Sequence, residues 1–488
     1  MIIMGLMGGL KAQENTMPTV TIVTDGPIVN TPAVHGTITV DDHNGTVIVM
    51  HAGFKIRGTS SQQYEKKSYR VELWTDETGA EMIDTTFLGL RSDDDWNLEA
   101  QWNQPLRLRD KVANTLWMEM YQLPYLASQP TALPGIRMRS VDLYLNGDYV
   151  GVYALTERMD RKQLELKKYT GKLKGLIVKG NGEGAPTFDT LPPYDNTSDT
   201  WDNYEWVYPN ESDTAINWSP LYNFTNFVMN ATNMAFYTQY GTLFDADNAV
   251  DYFLFINVIK AMDNMGRNLF VARYKSTTEL FYVPWDLDAI MGLDTDGQPT
   301  VSADGIMSNG FYDRLLDDCS TNGFVAMART RYNALRETIL NREHIMSLVQ
   351  AEYDALVACG AYDHEHEAWP EFTVDASQLD LMSDWLDARF AYLDAELNGA
   401  CGTWSEEDLA DDQGMEVFPN PTRSQIHVRF AEPTASFVRL YDMTGREVYA
   451  MRSTAQVVTI PANMLRSGLY TVLVQQQDRV LTERVIVQ

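Results

Sequence analysis

The sequence predicts an α+β protein with a β-rich first lobe, a mainly helical second lobe and a small all-β sandwich domain at the C-terminal end. Short alternating segments separated by turn residues fill the first part of the chain, which predicts strands. Apolar residues at helical spacing dominate the second part. Beyond residue 414 alternating strands return with a different charge balance, eight Arg against six acidic residues, which favours a separate β domain.

The first lobe is predicted over about 17–180. Its strand patterns are VTIVTDG, GTITVDDHNG, FKIRG, KKSYRVEL and VDLYLNGDYVGVYAL. In the last of these, Asn146-Gly147 predicts a tight hairpin turn. Apolar residues recur at helical spacing between Pro105 and Tyr121, which predicts one helix among the strands.

The second lobe is predicted over about 181–402 and begins with a connection rich in Gly, Pro, Asn and Asp. Helical patterns then recur in five windows: Leu221–Gln239, Ala249–Met262, Gly323–Leu340, Arg342–Ala358 and Ala376–Leu397. An acidic, apolar-poor stretch at 403–414 is typical of a linker. Residues 415–488 are therefore expected to fold separately.

Residues 1–16 begin with the apolar run Met1–Leu10, which is followed by the small residue Ala12. We interpret this segment as an export signal whose start has been clipped or misassigned, and the alternative is a disordered apolar tail. The run is shorter than the roughly 20 residues that a membrane-spanning helix needs. No transmembrane segment is therefore expected.

The chain of 488 residues has 38 basic and 67 acidic residues, a net charge of −29 and a pI of about 4.5. A protein this negative is not expected to take nucleic acid or an anionic membrane as its main partner. The cysteines, Cys319, Cys359 and Cys401, are odd in number and unevenly spaced. One disulfide with a free thiol and three reduced thiols are both compatible with this pattern.

A small-residue loop, Thr59-Ser60-Ser61, follows Arg57-Gly58 and leads into a strand that begins near two lysines. Gly and Ser allow backbone N–H groups to approach an anion, and a Lys on the return strand can reach a phosphate. Strand alternation predicts that Lys67 points inward and Lys66 outward. Arg57, Ser60 and Lys67 are therefore candidate nucleotide-binding residues. For Lys67, the alternative of a peripheral Lys on the covered face of a strand is equally compatible with the sequence.

The segment AMDNMGRNLFVARY places Asp263 and Asn268 between a predicted helix and a predicted strand. Their spacing is that of a kinase catalytic loop, in which the Asp accepts the proton of the substrate hydroxyl and the Asn binds a metal ion. Asp and Asn are also ordinary turn residues. This motif alone therefore leaves both interpretations open.

The segment LFYVPWDLDAIMG places Asp286 and Asp288 at the end of an apolar strand. Two carboxylates in such surroundings are costly to ionise without a cation. Mg²⁺ is the natural partner, because it prefers one or two carboxylates together with nucleotide phosphates. In the alternative interpretation, one of the two residues caps a helix or pairs with an Arg.

HEHE, at His364–Glu367, is a third candidate for metal binding. It lacks the spacing that places two His on one face of a helix. We therefore expect these residues to form a solvent-exposed helix face.

The two lobes together resemble the spore-coat protein H (CotH) family of atypical kinases, from about residue 18 to about residue 400. The matching segments are IRGTSS, KKSYRVEL, FLGLRSDDDWNLEA, the RLRD helix, LYLNGDYVGVYALTERMD and FYVPWDLDAIMG. The resemblance implies a two-lobed protein-kinase-like fold and transfer of phosphate from ATP to serines of coat proteins. The HRD and DFG motifs of protein kinases are absent, since Met262 precedes Asp263 and Leu287 follows Asp286.

The same resemblance implies roles for individual residues. Lys67 is expected on the nucleotide phosphates, and Asp263 is expected to be the catalytic base. Asp286 is expected to bind Mg²⁺, with Asn268 and Asp288 as further ligands. Glu157, which ends the LTE strand, is expected in the nucleotide pocket near the connection between the lobes.

The C-terminal segment resembles the sorting domain of proteins exported by the type IX secretion system. The matching segments are VFPNPTRSQIHVRF, VRLYDMTGREVY and LRSGLYTVLVQQQDRVLTERVIV. The resemblance implies the type IX machinery as a partner, export across the outer membrane, removal of the tail, and release or attachment at the cell surface.

We therefore expect a secreted phosphotransferase that uses ATP and Mg²⁺ to modify Ser or Thr hydroxyls of an envelope or surface protein. The alternative is a catalytically inactive protein that keeps the kinase-like scaffold and binds a surface or matrix.

Overall fold

The computed structural model describes residues 16–210, 215–399, 401, 415–422, 424–430, 436–442, 446–462, 465–476 and 479–487. The chain divides into two compact units, Met1–Ser405 and Glu406–Gln488. The expected export signal, apart from Thr16, and the expected linker at 403–414 lie outside the described residues. No described helix combines the length and the hydropathy needed to span a bilayer.

The first part of the larger unit is a closed seven-stranded barrel. In order around the barrel the strands are β1 (Thr19–Thr24), β2 (Val34–Asp41), β3 (Val47–Ile56), β4 (Tyr69–Trp74), β7 (Asp95–Glu99), β9 (Asp148–Thr156) and β8 (Met138–Leu145). A short pair, β5 (Thr85–Thr86) and β6 (Ser92–Asp93), lies outside it. The parallel pairing of β1 with β8 closes the barrel. Alternate residues such as Val20, Ile22 and Ile38 are buried inside it, as their pattern predicts.

The hairpin between β8 and β9 confirms the predicted turn. Asn146 has φ of +55° and Gly147 has φ of +94°, and Leu145 pairs with Asp148 across the turn. Positive φ at both central positions is the requirement that favours Asn-Gly in such hairpins.

Helix α1 (Arg109–Met120) confirms the helix predicted among the strands, with a later start than Pro105. Arg107 has φ of +55°, which a right-handed helix cannot include. The helix buries Val112, Leu116 and Trp117 against the core of the larger unit.

Most helices of the larger unit follow the barrel. Their bounds are α2 (Ser219–Asn230), α3 (Asn233–Gln239), α4 (Ala246–Ile259), α5 (Gly310–Leu316), α6 (Phe324–Arg336), α7 (Arg342–Ala358), α8 (Ala361–Ala368) and α9 (Ser377–Asn398). The window Leu221–Gln239 forms two helices, because Ala231 is extended and Thr232 caps α3 by accepting from the Ala235 N–H at 3.3 Å. Helices α5 and α8 are additions to the predicted set.

A five-stranded antiparallel sheet lies within this helical part. Its strands in order are β11 (Thr200–Trp201), β12 (Tyr204–Tyr208), β10 (Leu176–Asn181), β13 (Arg267–Arg273) and β14 (Leu280–Pro284). Asn248 connects α4 to β14. Its Nδ2 donates to the Tyr282 backbone oxygen at 3.0 Å, and its Oδ1 accepts from the Tyr282 N–H at 2.7 Å. The second lobe is mainly helical, as expected, and it also contains this sheet, which positions the loops that contain Asp263 and Asp286.

The cysteines form one disulfide, between Cys319 and Cys401, and Cys359 is a free thiol. Of the two alternatives compatible with the sequence, the structure has the first.

The described residues of the smaller unit form β-strands and connecting loops, as predicted. One sheet contains β15 (Met415–Phe418), β16 (Gln425–Phe430) and β19 (Val457–Pro461). The other contains β18 (Glu447–Ser453), β17 (Ser436–Asp442), β20 (Gly468–Gln476) and β21 (Arg479–Val487). Apolar residues of both sheets, including Ile426, Val428, Leu440 and Val472, form one core.

Candidate functional site

A cavity of about 670 Å³ lies within the larger unit. Its lining comes from the loop after β3, the segment between β7 and α1, the sheet β10–β14 and the loop after β14. Of the predicted site residues, the lining includes Arg57, Asp263, Asn268, Asp286 and Asp288. The volume lies in the range of small-molecule sites. The fold therefore brings together residues that are far apart in the sequence.

Asp286 and Asp288 follow β14 in a loop whose residues alternate in direction. Leu287 is fully buried, whereas both aspartates line the cavity. Asp288 accepts from Asn103 Nδ2 at 2.7 Å, and Asp286 has φ of +57°. A left-handed backbone at a non-glycine residue is strained, and such strain is concentrated at functional sites. Neither aspartate forms a direct ion pair with any residue that the structure describes, but the charge of Asp286 acts on Arg57 and opposes the effect of burial on the pKa of Arg57.

Asp110, in the first turn of α1, is a further carboxylate of the cavity, and it was absent from the predicted site. Its Oδ2 accepts from Gln104 Nε2 at 2.5 Å. Burial, followed by the charges of Asp288 and Asp286, raises the pKa of Asp110 well above its usual value. Burial and then the charge of Asp286 raise the pKa of Asp288 to about 7. An acid in the first turn of a helix is common, so the sequence contains no signal that singles Asp110 out.

The oxygen donors of these residues fit a hard divalent cation such as Mg²⁺. Their geometry limits how such an ion is held. In the described part of the chain, only Asp84, Asp93 and Asp94 bring three ligand atoms within 4.8 Å of one another, and Lys162 donates to all three. A cation in the cavity would therefore bind one or two carboxylates and complete its shell with water or phosphate oxygens.

Asp263 lies in a short 3₁₀ turn after α4, and its Oδ2 is 3.9 Å from Arg267 Nη1. Both side chains are partly exposed and line the cavity. Asn264 is buried, and its Nδ2 donates to the backbone oxygens of Asn268 (2.6 Å) and Trp285 (2.9 Å). These bonds make the segment from Asp263 to Asn268 a direct neighbour of the loop after β14.

Arg57, directly after β3, forms an ion pair with Glu99. Its guanidinium lies 5.9 Å from the centre of the Trp285 ring. Burial lowers the pKa of Arg57 to about 10, so it is a cation at neutral pH. Gly58 has φ of +93°, and a Cβ there would lie 1.9 Å from Ser61 Oγ, so the turn requires glycine. Ser60 begins the 3₁₀ turn Ser60–Gln63 that follows, and its neighbours in the loop line the cavity.

The structure reverses the expected orientation of the two lysines. Lys66 is 1% exposed and lines the cavity, whereas Lys67 lies outside the cavity lining. The Lys67 ammonium donates to the backbone oxygens of Gln62, at 2.7 Å, and Tyr64. The expectation that Lys67 points inward is wrong, because the regular strand begins only at Tyr69 and its alternation does not extend back to the lysines.

Lys66 belongs to a buried ion cluster with Glu365 and Arg107. Its Nζ lies 2.7 and 2.9 Å from the two oxygens of Glu365 and donates to the Val152 backbone oxygen at 2.6 Å. Burial, opposed by the charge of Glu365, lowers the pKa of Lys66 to about 7. Glu365 is 0% exposed, so the prediction of a solvent-exposed HEHE face is wrong for this residue. Glu365 is one of two glutamates in a largely polar eight-residue helix, whose sequence pattern contains no signal of its burial.

Glu157, directly after β9, is also buried and lies outside the cavity lining, contrary to its expected place in the nucleotide pocket. Its carboxylate accepts from Arg137 Nε (3.0 Å), from the Arg91 N–H (2.8 Å) and from Gln163 Nε2 (2.9 Å). Burial alone would raise the pKa of Glu157, but these bonds outweigh it and lower the pKa. Its partners give Glu157 a structural role.

Lys179 of β10 is a second cavity residue that was absent from the predicted site. Its ammonium has no hydrogen bond or ion pair with any residue in the described ranges. The neighbouring Asn181 donates to Glu205 at 3.1 Å, and both line the cavity beside it. The single Lys in the apolar pattern LIVKGN was the only available signal, and exposed strand positions often contain such a residue.

Comparison with known proteins identifies the larger unit. Residues 54–393, more than half of the chain, match the family described as CotH kinase protein. The chain belongs to the CotH kinase family. The described lining of the cavity, from Arg57 to Thr295, lies entirely within the matched residues. No curated protein matches the chain.

Residues 416–488 match the secretion system C-terminal sorting domain. This CotH-family protein is therefore secreted or attached to the outer surface. A DUF3244-family protein of Bacteroides vulgatus with an immunoglobulin-like β-sandwich is 20% identical over 16% of this chain and 87% of that chain, with a TM-score of 0.15. PorZ, a surface component of the type IX secretion system of Porphyromonas gingivalis, is 24% identical over 17% of this chain and 13% of that chain, also with a TM-score of 0.15. At these TM-scores neither likeness bears on the fold.

Proposed function

We propose that this protein is a secreted kinase that transfers phosphate from ATP, with Mg²⁺, to Ser or Thr hydroxyls of surface or envelope proteins. The observation that supports it most is the cavity, which combines Arg57 with Asp263, Asn268, Asp286 and Asp288. Phosphoryl transfer needs ligands for a metal ion, a general base and a positive charge near the phosphates. Asp286, Asp288 and Asn268 are suited to the first role, Asp263 to the second and Arg57, beside the Gly58 turn, to the third. The barrel and the sheet-containing helical part both line the cavity, which supports two lobes with a kinase-like division of roles.

Asp263 is the proposed general base. Its side chain is 36% exposed at the cavity, so an incoming hydroxyl can reach it from solvent. Asp286, with Asp288 and Asn268, would hold Mg²⁺, which neutralises phosphate charge during the transfer. The neighbouring Arg267, whose Nη1 lies 3.9 Å from Asp263 Oδ2, places a positive charge beside the proposed base.

The phosphates would lie against Arg57 and the backbone of the loop that contains Ser60. Sequence patterning and family resemblance suggested Lys67 for this role, but its ammonium already donates to two loop carbonyls. Lys179 takes its place in the proposal, because it lines the cavity and has no partner among the described residues. Glu157 is left out of the nucleotide site on account of its structural partners.

The full-length protein should bind ATP more tightly with Mg²⁺ than without it in calorimetric titrations. Incubation with ATP should yield phosphoserine or phosphothreonine, detected by mass spectrometry on the protein itself or on outer-surface proteins. Asp263→Asn should lower phosphotransfer by about 10²- to 10⁴-fold while nucleotide binding survives. Asp286→Asn should weaken only the Mg²⁺-dependent part of binding.

Asp148→Asn is the matched control, because Asp148 is exposed on the β8–β9 hairpin and lies outside the cavity lining. It should behave like the wild type in both assays. Absence of ATP binding by the wild type would overturn the kinase proposal and favour a non-catalytic protein that binds a surface or matrix.

A further inference from the structure

Glu365 and Arg107 begin a series of hydrogen bonds that ends at two cavity carboxylates. Glu365 Oε1 accepts from Arg107 Nε (3.1 Å) and Nη2 (2.9 Å), and both side chains are buried. The third nitrogen, Nη1, donates to the backbone oxygens of Gln101 (2.5 Å), Trp102 (2.8 Å) and Gln104 (2.7 Å). One guanidinium therefore joins helix α8 to three carbonyl groups of the loop 101–104.

The same loop contacts the carboxylates through its amide side chains. Asn103 Nδ2 donates to Asp288 Oδ2 at 2.7 Å. Gln104 Nε2 donates to Asp110 Oδ2 at 2.5 Å, and Gln104 Oε1 accepts from the Arg109 N–H at 3.0 Å. The position of the loop thus sets the direction of both amides and, through them, the orientation of both carboxylates.

We propose that Glu365 and Arg107 are positioning residues, which hold the loop 101–104 so that its amides orient Asp110 and Asp288 for a divalent cation in the cavity. The proposal rests on the function proposed above. Groups that orient the ligands of a metal affect its affinity without touching it, and their substitution typically costs about 10- to 100-fold. Each guanidinium nitrogen of Arg107 donates to Glu365 or to the loop, so Arg107 would affect a bound cation only through the loop.

Arg107→Lys is the test variant. It keeps a positive charge beside Glu365, but a single ammonium group cannot bond to the carboxylate and to three carbonyls at once. Arg389→Lys is the matched control. Arg389 is fully buried and donates to the backbone oxygens of Asn257 (2.8 Å), Ala303 (2.6 Å) and Gly305 (2.7 Å), outside the cavity lining.

Two measurements on the full chain test the proposal. Calorimetry gives the Kd of ATP with and without Mg²⁺, and Arg107→Lys should raise the first about tenfold and the second less than about twofold. Hydrogen–deuterium exchange should become faster in segments 101–110 and 286–289 of Arg107→Lys, with the barrel strands unchanged. Arg389→Lys should show neither the selective loss of Mg²⁺-dependent affinity nor the faster exchange in these two segments.

The outcomes separate this proposal from the kinase proposal. The positioning role would be overturned if Arg107→Lys weakened ATP binding equally with and without Mg²⁺. It would also be overturned if hydrogen–deuterium exchange in the two segments were the same in Arg107→Lys and Arg389→Lys. Faster exchange there, in a protein whose wild type binds no ATP, would overturn the kinase proposal and leave the positioning of the carboxylates supported. If Arg107→Lys does not fold, Asn103→Ala removes the last bond of the series and should show the same selective loss of Mg²⁺-dependent affinity.

Discussion

Two pairs of carboxylates in the larger unit, the buried Glu157 and Glu365 and the partly buried Asp110 and Asp288, differ in their partners. Glu157 and Glu365 each contact a guanidinium and a backbone N–H. Asp110 and Asp288 accept from the amide side chains of Gln104 and Asn103, and Asp288 also accepts from the Ala289 N–H at 2.8 Å, but neither contacts a guanidinium. Burial and then the charges of neighbouring carboxylates raise the pKa of both. In the first group the chain supplies the compensating charge itself. In the second group no basic side chain bonds directly to the carboxylates in the described structure, which is the arrangement expected where an external cation binds.

The difference shows which acids belong to the framework and which to the site. A carboxylate with its own Arg or Lys is stabilised in the ionised form and contributes to folding. Carboxylates that face one another are stabilised by protonation or by a bound cation, at a cost to the empty protein. The following variants test this division, from the largest expected effect to the smallest.

Glu157→Gln should lower the free energy of unfolding by about 3 kcal/mol at pH 7, because Arg137 would lose its buried ionic partner. Urea denaturation followed by fluorescence measures the change. Glu183→Gln, at an exposed position, is the control and should change stability by less than about 0.5 kcal/mol. Equal stability of the two variants would contradict a structural role for Glu157.

The effect of Glu157→Gln should depend on pH. The bonds to Glu157 lower its pKa in the folded protein below the ordinary value of 4.5, so its stabilisation is present above about pH 4.5. It is lost as the pH falls below that value, because the unfolded chain takes up the proton first. The difference in unfolding free energy between wild type and Glu157→Gln should therefore shrink between about pH 5 and pH 3. A difference that grows on acidification would contradict the assignment.

Asp110→Asn should act in the opposite direction. It removes one of the facing charges while an oxygen remains to accept from Gln104, so stability in the presence of a chelator should rise by about 1 kcal/mol. Thermal or urea denaturation in EDTA provides the comparison with wild type. A loss as large as that of Glu157→Gln would mean that the two groups of acids do not differ.

Removal of residues 406–488 should have the smallest effect on the larger unit. The larger and the smaller unit are each compact, and the truncated chain keeps the disulfide between Cys319 and Cys401. The thermal midpoint of the larger unit should change by less than about 2 °C in calorimetry. Export should fail, because the sorting domain is lost, and normal amounts of the truncated protein outside the cell would contradict this.

Local patterns were sufficient for much of the fold. The Asn146-Gly147 hairpin and helix Arg342–Ala358 are where the sequence predicts them, because turn chemistry and helical spacing are properties of neighbouring residues. Closure of the barrel depends on β1 meeting β8, and no local pattern specifies a pairing over that distance. The sheet β10–β14 was underestimated for the same reason, since helices α2–α4 separate the strands β10–β12 from β13 and β14.

The candidate site divides in the same way. Asp263, Asn268, Asp286 and Arg57 could be chosen from sequence because each lies in a motif whose residue types suggest the chemistry. Asp110, Lys179 and Glu365 could not be chosen from sequence. Whether each has a partner depends on residues that come close to it only when the chain folds. The predicted orientations of Lys66 and Lys67 were wrong because strand alternation was extended to residues that precede Tyr69, where β4 begins.

Residue order along the chain is enough to predict an acidic α+β protein with a C-terminal β domain and to propose a set of acids for Mg²⁺, because these follow from composition, local periodicity and short motifs. Secretion follows from the likeness of the C-terminal segment to a sorting domain. Which acids remain without a cation of their own was decided only by the tertiary structure. Burial and ion pairing depend on residues such as Glu365 and Arg107, which are far apart in sequence and meet only when helix α8 packs against the barrel.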